Sequence, residues 1–213
     1  MASQRLANPS ALVFVAFSTT ILASSLSATG FRGITNQSVF IANITFLGGL
    51  GLLISAQWEM VRGNTMGYTI MSTFGLYNLG SGALLTPSFG IFESYKANPA
   101  EFFNALGIYQ LVWSIVNLFF FVASWSTIIL YGSLEMVYVF SSVSSFARAD
   151  GFVDTSSIFT QIAGGFGCLS ALAGFYLLWH QLREDIQQSN APPVDNRVPV
   201  RRIEKIVSTD DIY

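Results

Sequence analysis

In 213 residues the chain carries 52% hydrophobic and only 10% charged residues, with a formal net charge of −2 and a mean hydropathy of +0.52. Soluble domains carry about 25% charged residues, so the composition excludes a water-soluble globular domain, and the small net charge leaves no basic footprint for nucleic acid. One cysteine, Cys168, excludes an intramolecular disulfide framework.

Six apolar stretches follow one another, over residues 11–29, 38–58, 67–86, 103–124, 133–147 and 157–179. Crossing hydrocarbon takes about 20 apolar residues, so the pattern predicts an all-α polytopic membrane protein, six transmembrane helices in a compact bundle. The first stretch follows residues 1–10, which hold one basic residue and lead to no small-residue cleavage site; it reads as a retained span. Asn8 is placed as its N-cap and Pro9 at the first helical position. A helix N-terminus there offers free N–H groups to an anion, although a well-capped span explains the same residues more simply.

The fifth stretch is the shortest, and its true start lies nearer 128–130. It holds the one acid within a span, Glu135. A buried carboxyl would suggest a proton relay. Close to the start of its helix, Glu135 is instead expected at the interface, snorkelling to water or pairing with Arg62. Beyond Trp179 the sixth helix continues into water until Ala191-Pro192-Pro193, and residues 194–213 are polar and predicted disordered. The domains expected are therefore 1–10, the transmembrane bundle over 11–180, and a helix extension with its tail over 181–213. An acid three residues after Ser208 suits an acidophilic kinase, but a plain solvated tail is the preferred reading.

With an even number of spans both termini share a side with Arg5, Arg62, Arg183, Arg197, Arg201, Arg202 and Lys205, against Arg32, Lys96 and Arg148 opposite. The basic excess predicts both termini in the cytosol, and Trp58, Trp125 and Trp179 fall at span ends on that same side. Small residues recur at Ala163, Gly167 and Ala171, flanked by Gly164 and Gly174, and again at Gly48, Gly49 and Gly51. Such spacing lets backbones approach closely, equally within one subunit or between subunits.

An enzyme is not expected. The only histidine, His180, has no second histidine with which to share a metal, no Gly-x-Ser-x-Gly turn is present, and Asp150 and Asp154 lie in a loop. No metal or cofactor is called for. Passage of a solute needs polar groups facing inward. Those available are Thr19, Thr20, Asn43, Thr45, Ser72, Thr73, Tyr77, Asn78, Asn104, Tyr109, Gln110, Asn117, Tyr138, Ser141 and Ser142. They are neutral hydroxyls and amides, suited to a small acid or neutral molecule rather than to a charged-ring ion pore. Taken singly, each serves an interhelical hydrogen bond more readily than transport.

Asn8-Pro9-Ser10-Ala11-Leu12-Val13-Phe14, Phe17 before Ser18-Thr19-Thr20, Arg62-Gly63-Asn64-Thr65, Thr73-Phe74-Gly75-Leu76-Tyr77-Asn78 and Glu101 to Tyr109 occur in this order along the chain. Over residues 5–180 the chain thereby resembles the acetate uptake transporter (AceTr) family of bacterial acetate/succinate permeases and fungal acetate/ammonium exporters. The first segment resembles the family's Asn-Pro-Ala-Pro-Leu-Gly-Leu signature, and the fourth its Ser-Tyr-Gly-x-Phe-Trp segment. The resemblance implies a hexamer of six-helix subunits, each with its own path for a small monocarboxylate. It also implies a hydrophobic constriction at Phe17, Phe74 and Val143, and a vestibule at Asn8, Pro9, Thr20, Tyr77, Asn78 and Asn104. An apolar ring admits a small protonated acid and resists hydrated ions. The departures are Ala11 and Val13 for the signature's second Pro and its Gly, Phe74 for Tyr, and Asn78 for Trp.

The function expected is passage of short-chain monocarboxylates, acetate by preference, passive or proton-linked, in a multi-pass protein of the plasma membrane. Ammonia or ammonium transport is one rival. A non-conducting sensor or scaffold acting through the tail is another.

Overall fold

The computed structural model describes residues 7–34, 36–124 and 127–190, and the described chain is helical throughout its ordered elements. Helix α1 spans Ser10–Ala28. Pro9 already has helical backbone angles, and the Asn8 side chain accepts from the Ser10 N–H at 3.1 Å. Asn8 thus satisfies a donor that the helix cannot.

Helix α2 spans Ser38–Val61. It opens in a 3₁₀ turn, winds as a wider π-helix through Asn43–Gly51, and ends as regular α-helix over Leu52–Val61. Gly63 turns the chain with φ of +76°, a left-handed conformation open to glycine. Asn64 then caps α3, Thr65–Leu85, accepting from the Gly67 N–H at 3.0 Å.

After a short helical turn at Ile91–Ser94, helix α4 runs over Pro99–Ala123, with Pro99 in its first turn where a missing N–H costs nothing. Helix α5 spans Ile128–Ala149 and α6 spans Val153–Asn190. At 1.5 Å per residue the 38 residues of α6 reach about 57 Å, well beyond a hydrocarbon core of about 30 Å.

The six helices form a ring. Helix α1 packs on α2 and α6, α6 on α5, α5 on α4, and α2 on α3. Tyr77 closes the ring from α3 to α4 by stacking on Tyr109 and tilting against Trp113.

Small residues make the α1–α6 seam possible. A Cβ on Gly164 would lie 2.8 Å from the Ser25 carbonyl oxygen, and one on Gly174 would lie 2.2 Å from Ser18 Oγ. Gly48 and Gly49 are equally tight against Thr20 and Leu79. The small-residue stripes therefore pack helices within one subunit, which decides between the two readings left open by their spacing.

Five helices, α1, α2, α4, α5 and α6, are long and apolar enough to cross a membrane. Helix α3 is long enough but too polar to join them, and the residues responsible include Tyr77 and Asn78, which border the central cavity.

Candidate functional site

Two cavities lie in series inside the ring, and Phe17 and Phe74 border both. The one nearer the start of α1 is lined by Val13, Phe14, Leu52, Ile70, Met71, Leu130 and Tyr131 besides the two phenylalanines, and offers about 40 Å³ to the centre of a water. The other adds Thr20, Ile21, Tyr77, Asn78, Leu134 and Tyr138, and offers about 10 Å³. A single water needs about 10–15 Å³ by that measure, so a solute larger than water passes only if side chains move. Phe17 and Phe74 are buried; the Phe74 ring stacks on Tyr131 and tilts against Phe120, with centroids 6.3 and 5.6 Å apart.

Polarity changes across the two phenylalanines. The first cavity is almost wholly aliphatic and aromatic, whereas hydroxyls and an amide border the second. Asn43 Nδ2 donates to Thr20 Oγ1 at 2.9 Å, which leaves the Thr20 proton available to a ligand oxygen. Asn78 Nδ2 donates to the carbonyl oxygens of Gly48 and Phe74, at 3.1 and 3.0 Å. The amide thus pins α3 to the π-helical part of α2.

A polar knot closes the end where α1 begins. Glu59 is 1% exposed. Its Oε1 accepts from Ser10 Oγ at 2.9 Å and lies 3.5 Å from Arg62 Nη1, while Oε2 accepts from Asn64 Nδ2 at 2.8 Å. Arg62 Nη1 also donates to Asn8 Oδ1 at 2.8 Å. One carboxylate thereby ties together the starts of α1 and α3 and the end of α2.

A second carboxyl lies deeper. Glu135 is 9% exposed, two turns inside α5. It accepts a short hydrogen bond from Ser114 Oγ and another, at 2.8 Å, from Asn117 Nδ2, both on α4. The expected interfacial Glu135 is therefore corrected: it is buried between two helices, and Arg62 pairs with Glu59 instead.

Of the residues singled out in the sequence, Phe17, Phe74, Thr20, Tyr77 and Asn78 meet around one cavity. Asn8 and Pro9 stand at the knot, away from it. Val143 is 39% exposed and faces outward; the α5 side chains in the cavity walls are Leu130, Tyr131, Leu134 and Tyr138. Asn104 is exposed. Val143 lies nine residues beyond Leu134, two and a half helical turns, which puts it on the opposite face. Glu59 was missed; its signal is the run Glu59-x-x-Arg62-x-Asn64, an acid one turn before a base and a cap. Trp58 is exposed near the end of α2 and Trp179 is exposed about three turns before the end of α6, whereas Trp125, Arg5, Ser208 and the basic residues from Arg197 onward lie outside the described residues.

A ring of long apolar helices, five of them able to cross a membrane by length and composition, is the architecture of a multi-pass membrane protein. The chain belongs to the GPR1/FUN34/yaaH family, whose model matches residues 1–194. It is 37% identical to the acetate transporter protein patA of Aspergillus clavatus over 182 residues, 84% of this chain and 74% of that protein. It is 29% identical to ammonia transport outward protein 2 of Saccharomyces cerevisiae over 174 residues, 80% of this chain and 62% of that protein. The solved bacterial acetate channel SatP superposes with a TM-score of 0.72 over 88% of this chain and 99% of its own, at 24% identity, a likeness of fold. The resemblance carried by Asn8-Pro9, Arg62-Gly63-Asn64-Thr65 and the Phe74 segment identified the same family.

Proposed function

We propose that the chain is a channel or transporter for short-chain monocarboxylates, acetate preferred, passive or proton-linked, working as a hexamer of six-span subunits. The observation that carries the reading is the pair Phe17 and Phe74, which borders both cavities and separates an apolar one from a hydroxyl-lined one. Leu134 completes this constriction from α5, in the part assigned by resemblance to Val143. Helix α3 is the sixth span; its polar residues are tolerated in hydrocarbon because they face the ring interior.

Passage follows from that arrangement. A carboxylic acid sheds its water at the apolar side and slips past Phe17 and Phe74 as their rings turn. It regains partners at Thr20 and Tyr77, with Asn78 beside them. A hydrated ion has no donors or acceptors to replace its shell at the phenylalanines and is turned back. Asn8 and Pro9 stand at the cytosolic mouth, in a plasma-membrane protein with both termini inside.

Labelled acetate uptake into proteoliposomes, with and without an inward proton gradient, tests the reading against protein-free vesicles. Protein-dependent uptake suppressed by unlabelled acetate is expected. Absence of uptake by verified folded oligomer overturns it. Ammonia passage is the second reading, favoured by the similarity to the yeast ammonia transport outward protein; it predicts ammonium-driven alkalinisation of the vesicle lumen without carboxylate uptake.

A further inference from the structure

Glu59 and Glu135 are the buried acids among the described residues, and only Glu59 has a counter-charge. The ion pairs among the described residues are Glu59 with Arg62, Glu93 with Lys96, and Glu184 with His180, and none reaches Glu135. The basic residue of its own helix, Arg148, lies more than three turns further on, over the ring of Phe103. Its hydrogen-bond partners are one hydroxyl and one amide, both neutral.

The surroundings supply no counter-charge either. The charged side chains of the neighbouring helices lie toward their ends, Glu101 in the first turn of α4 and Asp154, His180, Arg183, Glu184 and Asp185 on α6. The ionisable groups nearer Glu135 along these helices are phenols and a thiol: Tyr131 and Tyr138 on α5 itself, Tyr109 on α4, Tyr77 on α3, and Cys168 on α6. Donors are also short. Asn117 is fully buried and donates its amide both to Glu135 and to the Tyr131 carbonyl oxygen at 3.1 Å, yet its own Oδ1 has no partner. The Asn117 amide is already shared between two acceptors, so the charge on Glu135 is matched only by neutral donors, and a proton on the carboxylate removes that charge.

We propose that Glu135, held by Ser114 and Asn117, is a proton-binding site built into the α4–α5 contact, and that its protonation controls passage through the neighbouring path. The pocket suits both states. With Glu135 ionised, Ser114 and Asn117 donate to it as observed. With a proton on Oε1, that atom becomes the donor and the Ser114 hydroxyl the acceptor, its own proton turning to the carbonyl four residues back, as helical serines do. Asn117 continues to donate to Oε2. No covalent bond other than the O–H forms or breaks.

The link to the path is the helix itself. Leu134 precedes Glu135, Tyr131 lies one turn before it and Tyr138 one turn after, and these three side chains wall the two cavities. Tyr131 also carries the stack on Phe74 and supplies the carbonyl that Asn117 holds. Charge at Glu135 therefore changes how firmly α4 grips the segment of α5 that closes on Phe74.

This inference rests on the transport reading, and its test separates the two. In full-length protein in proteoliposomes, protein-dependent acetate flux is measured from acid to neutral pH and normalised to the undissociated acid, for wild type and for Glu135→Gln. A wild-type flux that varies with pH and a Glu135→Gln flux that does not, matching wild type at its acid end, is expected. Parallel pH profiles overturn the proposal. Infrared titration of the wild-type protein needs neither a folded variant nor flux. It should show a carboxyl C=O band that grows on acidification and shifts in Ser114→Ala; a buried-carboxyl band unchanged across the range overturns the proton site. Without wild-type acetate flux the transport reading fails, and the infrared result still decides the site.

Discussion

Helix α1 looks two ways, and its two sides are built on different principles. Toward α6 it lays Ser18, Ser25 and Thr29 on Gly174, Gly167 and Gly164 at backbone contact, with no room for a methyl group. Toward the ring axis it sends Phe17 and Thr20 into walls that leave two cavities. Membrane helices gain no hydrophobic driving force by associating, so close packing and hydrogen bonds must hold the seam. The axial side keeps voids beside large aromatic rings. The two buried acids divide in the same way. Glu59 is matched by a cation and three helix ends, which makes it a fixture. Glu135 has only neutral partners, Ser114 and Asn117, which is the ground on which it is proposed as a proton site.

The largest stability effect is expected where the fixed side is cut. Glu59→Ala leaves Ser10 and Asn64 without their acceptor and Arg62 without its counter-charge. Partial exposure of Arg62 places the cost at the low end of broken buried pairs, about 3 kcal/mol. Thermal unfolding of the detergent-solubilised protein reads it directly, and an unshifted transition would remove the knot from the account.

Gly164→Ala comes next. Its methyl group meets the Ser25 carbonyl and the Thr29 amide, which are backbone and cannot swing aside, at a cost of about 1–3 kcal/mol. Glu135→Gln should cost less, about 1 kcal/mol, because its partners can still be bonded; a melt as damaged as that of Glu59→Ala would erase the contrast between the two acids. Gly165→Ala sharpens the seam most finely. Nothing lies within 4 Å of a Cβ there, so the change should stay within about 0.5 kcal/mol. Equal melting of the Gly164 and Gly165 variants would show that the α1–α6 contact is looser than its distances.

The fold was legible because hydropathy reports the solvent of a whole span, and motif order supplied the family. The residues Phe17, Phe74, Tyr77 and Asn78 sit in the motif-bearing helices α1 and α3, and the structure brings them around one cavity. The fifth span carries no such motif, and Val143 was assigned nine residues from Leu134, on the opposite face. Helix faces are hard to read in lipid because the outward side is as apolar as the inward one. Helix α4, for example, exposes Ile108, Val112, Ile115 and Phe119.

The acids failed for another reason. Nearness to the start of its helix suggests access to water at Glu135, whereas Ser114 and Asn117 on a neighbouring helix supply the polar site that holds it. Glu59 escaped notice because it fell just beyond the second apolar stretch, where a charge is ordinary. Only the fold shows that α1 begins beside it.

The account turns on Phe17 and Phe74 as the point that sorts solutes. The most direct measurement is the ratio of labelled acetate to labelled butyrate uptake in proteoliposomes of wild type and Phe74→Ala, with folding checked by oligomer size. Wild type should favour acetate, and Phe74→Ala should move the ratio toward butyrate on the order of tenfold, as expected when a pocket gains the room of a ring. A folded Phe74→Ala protein with an unchanged ratio would contradict the central claim.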